Sequence, residues 1–255
     1  TTEIYTLSLH DALPICFVNN KVDLICAIAT PAAQTVANVT SDIPIVATAV
    51  TDYKTAKLVK DDAKPGTNVT GTTDMNPVAE QLDLLLKLVP NAKTIGTIYC
   101  SSEVNSQLQV ELLKKAAAAK GITVKEATVS TVNDIQQAAR SLAGDVQAVY
   151  VPTDNVLASA IPTLISVTEE AKLPVICAEG GMVRAGGLAT LGVDYYKLGF
   201  QTGVMAADIL SGKSKPADMA IQAQKEFKPT INLKEAAKIG LKVPEDLLKG
   251  ADVIK

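Results

Sequence analysis

Eight short apolar runs alternate with stretches of helical period between residues 24 and 211, and this alternation restricts the chain to an α/β architecture of βαβ units. The runs fall at 24–30, 45–50, 69–73, 94–100, 123–129, 148–153, 175–178 and 188–193. The helical stretches fall at 31–39, 77–89, 104–120, 132–142, 158–172 and 198–211. Strands joined by crossover helices pair in parallel, so the spacing predicts parallel sheets flanked by helices. With 255 residues, 47% of them hydrophobic, the chain is long enough for two lobes with full cores.

Composition shifts mark the expected lobe boundaries. Residues 60–68 are charged and turn-rich and read as an exposed loop. Pro90, Asn91 and Ala92 open a fresh set of βα units, which predicts a change of lobe near residue 90. A second change is expected near Val193, and Ser214 and Lys215 open a final segment. The expected organisation is lobe 1 from 16–90 plus 193–213 and lobe 2 from 91–192 plus 214–255, with residues 1–15 set apart.

The first strand-to-helix turn is the most informative. The run 24–29 lacks polar alternation, as in a strand buried on both faces. Pro31 suits the first helical position, and Thr30 stands where an N-cap belongs. A helix N-terminus carries roughly +0.5 charge and free N–H groups. Ligands of open α/β sheets bind beyond the carboxyl ends of the strands. This turn is therefore expected to hold the carboxylate of a small molecule.

Five other strand ends carry the same kind of residue. They are Thr51-Asp52-Tyr53, Ser101 to Asn105, Thr153-Asp154-Asn155, Glu179-Gly180-Gly181 and Asp194-Tyr195-Tyr196. Each alone is ordinary cap or turn chemistry. Together they point to a pocket at the sheets' carboxyl edges. The early turns offer hydroxyls and N–H groups, which suit a carboxylate. The later turns offer Asp154, Glu179 and Asp194, which suit an ammonium. Tyr53, Tyr99, Tyr150, Tyr195 and Tyr196 lie near these ends and could stack on a ring. A zwitterion with a hydrophobic side chain, an amino acid, fits that layout.

Other function classes find little support. A net charge of −3 disfavours a nucleic-acid partner. Arg140 and Arg184 are the only arginines among 24 basic residues, so an anion site must lean on backbone N–H, hydroxyls or Lys. Cys16, Cys26, Cys100 and Cys177 are far apart and form no C-x-x-C or Cys/His cluster, so no metal site is expected. No glycine spacing makes G-x-G-x-x-G; Gly180-Gly181 and Gly186-Gly187 read as turn pairs. No apolar stretch of about 20 residues is present to span a membrane, and no signal peptide is visible.

Residues 6–15, TLSLHDALPI, resemble the translation of a common short-read sequencing adapter, ACT CTT TCC CTA CAC GAC GCT CTT CCG ATC. Residues 1–15 are therefore expected to be non-native, with native coding sequence resuming near Cys16. This removes His10, the single histidine, from any Ser-His-Asp or Cys-His arrangement.

LICAIATPAAQ, PIVATAVTD, NVTGTTD, IYCSSEVNSQLQVE, VYVPTDN, VICAEGG and LGVDYYKLGFQTG together resemble the tryptophan/tyrosine-type substrate-binding proteins of ABC transporters, from Cys16 to Lys255. The resemblance implies a two-lobed periplasmic-binding-protein-like type I fold closing on a ligand in the cleft between lobes. It implies a monomer exported as a periplasmic protein or lipoprotein, with a permease and an ATPase as partners and no cofactor. It places Thr30, Ala32 and Ala33 in the first-lobe ligand turn, with Val50 and Thr51 beside it. Ser102 and Asn105 match the second-lobe loop, and Asp154, Glu179 and Asp194 match polar positions of later turns. Members open with a signal sequence and a βαβ unit, which the adapter-like segment replaces here; an exposed sheet edge or an improvised start in lobe 1 is expected. Tryptophan, tyrosine, a branched amino acid and a nucleoside-like molecule are all open as ligands. The alternatives are the effector domain of a transcription regulator, which needs a helix-turn-helix ahead of lobe 1, and a doubly wound α/β enzyme.

Overall fold

The computed structural model describes residues 12–255, so His10 and most of the adapter-like segment lie outside the described residues. The chain begins with α1 (Ala12–Asn19), β1 (Ile25–Ile28), α2 (Thr30–Val39), β2 (Ile45–Val50) and β3 (Val69–Thr73). It continues with α3 (Val78–Leu88), β4 (Thr94–Cys100), α4 (Val104–Ala119), β5 (Thr123–Val129), α5 (Ile135–Ala143) and β6 (Val149–Val151). Next come α6 (Asn155–Ser159), α7 (Ile161–Glu170), β7 (Val175–Cys177), α8 (Gly180–Arg184) and β8 (Ala189–Gly192). The last part forms α9 (Tyr195–Leu210), β9 (Gln222–Ala223), β10 (Lys228–Asn232), α10 (Leu233–Ile239), α11 (Glu245–Leu248) and β11 (Asp252–Ile254).

These elements make two compact units. The first comprises the described residues through Met75 together with Asp194–Lys225; the second comprises Asn76–Val193 and Glu226–Lys255. The change of unit thus comes at Met75 and not near residue 90. The reason is α3: Leu82, Leu85 and Leu88 on its apolar face belong to the core of the second unit. The later return comes at Lys225, not at 213, because β9 pairs in parallel with β3 and the Thr70 hydroxyl donates to the Met219 carbonyl at 2.6 Å. The first unit resumes at Asp194.

In the first unit the sheet order is β1-β2-β3-β9, all pairings parallel. Among the described residues β1 is an edge strand. Its apolar run predicts burial on both faces, but Ile25 and Ala27 are buried while Ile28 is exposed, because an edge strand is covered less completely. On the sheet face that meets α9, Val46 packs against Met205, Ala206 and Ile209. A hydroxyl chain ties the same layers: Thr48 to Thr72 at 3.1 Å and Thr72 to Thr202 at 2.8 Å.

In the second unit the order is β11-β10-β8-β7-β6-β4-β5, parallel except for β10 against β8. The inner strands read as near-continuous apolar runs because both faces are covered. Ile95, Tyr150 and Ile176 point into one core with Leu82 and Leu113; Ile98, Val149, Val151 and Val175 point into the other with Ile135, Leu157 and Leu164. Each fully buried Leu or Ile contributes about 1.5–3 kcal/mol relative to exposure. Two expected helices are each divided in two. Residues 132–134 form a 3-10 turn before α5, and the stretch 158–172 breaks at Ala160, just before Pro162 in the first turn of α7.

Candidate functional site

The first unit gathers its polar groups where β1, β2 and β3 end. The N-cap of α2 is Ala29, one residue earlier than expected, at φ 76° and ψ 156°. That region is close to glycine-only and costs about 1–3 kcal/mol for a residue with a Cβ, so the surrounding structure holds the turn against strain. Thr30 is the first helical residue, and its hydroxyl accepts the Thr51 N–H at 3.4 Å. The turn also offers fewer N–H groups than expected: Pro31 has none, and the Ala33 N–H donates to the Ala29 carbonyl at 3.0 Å. The first-turn N–H groups of Thr30 and Ala32 have no intrahelical acceptor. Val50 and Thr51 are buried beside this turn, after a register irregularity at which Ala49 has φ 55°.

At the end of β3 stands Asp74, fully buried. It accepts from the Thr51 hydroxyl at 3.0 Å and from the Tyr195 hydroxyl at 2.8 Å. Sequence reasoning passed over Asp74. The rule that singled out the other strand ends applies equally to NVTGTTD, whose final acid it is.

The second unit gathers its groups where β4 and β6 end. Asp154 caps α6 and is 1% exposed. Its Oδ1 accepts the Leu157 N–H at 2.8 Å, and its Oδ2 accepts the Cys100 N–H and the Ser106 hydroxyl, both at 2.7 Å. The carboxylate expected to meet a ligand's ammonium is thus committed inside its own unit. Burial, then the neighbouring Glu103 charge, pushes its pKa up to about 6, against the pull of its three donors.

Glu103 is also buried. It accepts the N–H groups of Asn155 at 3.1 Å and Val156 at 3.3 Å, and the side-chain amides of Asn155 at 2.6 Å and Asn105 at 3.0 Å. Asn105 is 4% exposed, and its Oδ1 has no hydrogen-bond partner among the described residues. Ser102 is exposed, with its hydroxyl 3.2 Å from Cys100 Sγ.

The other two acids are helix caps. Glu179 accepts the Gly181 and Met182 N–H groups at α8, one on each oxygen. Asp194 caps α9 through Oδ1 alone, from the N–H groups of Tyr196 at 3.1 Å and Lys197 at 3.2 Å. The tyrosines divide. Tyr53 and Tyr150 are core residues whose hydroxyls donate to the Ala47 carbonyl at 2.8 Å and Gln81 Oε1 at 2.7 Å, and burial raises both pKa values. Tyr99 donates to Glu126, and Tyr196 is 84% exposed. Neither core tyrosine is available to stack on a ligand, contrary to expectation.

Residues 10–255 match the family model described as ABC transporter substrate binding protein. The chain belongs to this family. It is 44% identical over 239 residues to the tyrosine-binding protein of Clostridioides difficile (strain R20291), covering 94% of this chain and 66% of that protein, just under two thirds of its length. Among solved structures, the ABC domain from Streptococcus pneumoniae in complex with L-Trp shares 41% identity with a TM-score of 0.92, over 96% of this chain and 83% of that one. A conserved domain protein from Vibrio cholerae shares 39% identity, also with a TM-score of 0.92, over 96% of this chain and 84% of that one.

For a substrate-binding protein of this family, the fold is the periplasmic-binding-protein-like type I fold read from the sequence, with mostly parallel sheets flanked by helices. No helix among the described residues is long and apolar enough to cross a membrane.

Proposed function

We propose that the chain is the extracytoplasmic solute-binding component of an ABC importer and that its ligand is an aromatic amino acid. The observation that carries the ligand class is the 41% identity, across nearly the whole chain, to a domain solved with L-Trp. The tyrosine-binding relative from C. difficile supports the same class. The strand-end chemistry agrees with it: hydroxyls and first-turn N–H groups around Thr30 and Thr51, and acceptor oxygens around Asn105.

The positions proposed to meet the ligand are Thr30, Ala32, Ala33, Val50 and Thr51 in the first unit and Ser102 and Asn105 in the second. Of the three acids, Asp194 is the one retained, because both cap bonds go to Oδ1 and leave Oδ2 outside the cap. Asp154 and Glu179 act as caps that shape their turns. A membrane permease and ATPase are the proposed partners, with the mature protein periplasmic or lipid-anchored and monomeric. Its role is binding and delivery without chemical conversion.

Isothermal titration of the protein with a panel of amino acids, sugars and nucleosides tests this reading. Saturable heat with tryptophan or tyrosine, at micromolar affinity or tighter (about −8 kcal/mol or more favourable), is the expected result. Saturation only by a sugar or a nucleoside overturns it.

A further inference from the structure

We infer that Glu103 is a positioning residue that fixes the polarity of the second-unit turn, so that Asn105 presents a carbonyl oxygen and receives the ligand's ammonium group. This inference rests on the amino-acid reading and assigns one of its recognition elements. The geometry leaves Asn105 one orientation. Its Nδ2 lies 3.0 Å from Glu103 Oε2 and 2.8 Å from the Thr153 carbonyl, both of which are acceptors. Turning the amide over would set an oxygen against both of them. Oδ1 therefore points the other way, in a residue only 4% exposed, and it has no partner among the described residues. A buried acceptor left unpaired is costly, and a donor supplied by a ligand removes that cost.

Glu103 imposes the same sense on its neighbour. The Asn155 side chain also turns its nitrogen to Glu103, at 2.6 Å, so its carbonyl oxygen faces away. Glu103 is the residue before α4, yet its carboxylate makes no cap to that helix. It reaches across to the start of α6, where Asp154 already serves as the cap. Two buried carboxylates at one short helix are more than capping requires. The second is accounted for by the two amides it orients.

The test compares L-tryptophan with indole-3-propionate, which keeps the ring and carboxylate and lacks the ammonium. Wild type is expected to prefer L-tryptophan by about 100-fold, the scale of a buried charged hydrogen bond. In Glu103→Gln the new NH2 faces the Asn105 NH2 and only the Thr153 carbonyl is left to hold it, so the Asn105 amide loses its fixed orientation. L-tryptophan affinity is then expected to fall about 10- to 100-fold, with indole-3-propionate changed by less than about 3-fold, so the preference collapses. Equal weakening of both ligands, or an unchanged preference, overturns the assignment, since a merely structural role would not discriminate between them. The Asn105 side-chain NH2 resonances of wild type, followed by NMR, give a readout that does not need the variant to fold. Slow hydrogen exchange without ligand supports the orientation; rapid exchange overturns it. If wild type binds no aromatic amino acid, the functional reading fails, while the same resonances still decide the amide's polarity.

Discussion

The Tyr195 hydroxyl donates to Asp74 Oδ2 at 2.8 Å, joining residues 121 positions apart. Tyr195 opens α9, and Asp74 follows β3. This bond fixes the first turn of α9 to the carboxyl edge of the sheet, beside Thr51 and Thr30. Tyr195→Phe removes a donor from a fully buried carboxylate. A hydrogen bond to a charged group is worth about 1.5–3 kcal/mol. The variant is expected to lose stability on that scale in urea unfolding of the whole chain. A change below about 0.5 kcal/mol would show that another donor takes over the Asp74 carboxylate.

Gly71 is the position in β3 least tolerant of change. Its φ is 152°, and a Cβ there would fall 1.8 Å from the Ala47 carbonyl oxygen and 2.5 Å from the Tyr53 hydroxyl. Backbone cannot give way as a flexible side chain would. Gly71→Ala is expected to cost more than about 4 kcal/mol, or to leave the protein insoluble. Gly199→Ala is the paired control. Gly199 lies inside α9, and a Cβ added there would meet nothing within 4 Å, so the helix gains up to about 1 kcal/mol. Thermal melts of the two variants should move in opposite directions.

The capping oxygen of Asp194 can be separated from its charge. Asp194→Ala is expected to lose about 0.5–2 kcal/mol as the N-cap of α9, whereas Asp194→Asn, an equally good cap, should stay within a few tenths of wild type. Chemical denaturation resolves that difference. An equal loss in both variants would show that the carboxylate's charge, not its capping oxygen, stabilises the helix.

Glu235 makes stability depend on pH. It lies buried on α10 near Glu169 of α7, with Lys238 Nζ 3.7 Å from its Oε2. Burial, then the Glu169 contact and charge, pushes its pKa up to about 7, while Lys238 pulls it down. The unfolded value is about 4.3. The folded chain therefore binds more protons than the unfolded chain between those values, and stability falls as pH rises through that window. Glu235→Gln keeps the shape without the charge. Its unfolding midpoint is expected to exceed wild type at pH 8, with the gap closing towards pH 4. A gap constant with pH would show that Glu235 does not titrate in this window.

Much of the fold is legible in the residues themselves. The apolar runs at 94–100 and 175–178 become strands buried on both faces, and the capping acids Asp154, Glu179 and Asp194 stand at helix starts. These features depend on period and on local hydrogen bonding, which a short window of sequence contains. The end of the chain is less legible. Strands β9, β10 and β11 have two to five residues each, too short for a period to show, and β9 gains its pairing from β3, far away in sequence.

The α/β class, the family and the strand-end turns that carry the polar groups can all be read from the linear chain, because they follow from local pattern. What those groups face is a matter of tertiary contacts. Asp154 reads as a candidate ammonium partner until Cys100, Ser106 and Leu157 are seen to fill its oxygens. Asn105 reads as one more polar turn residue until Glu103 and Thr153 are seen to hold its nitrogen inward. A hydrogen-bonding group has few lone pairs and protons, and which of them remain for a ligand depends on neighbours that the chain brings together only when it folds.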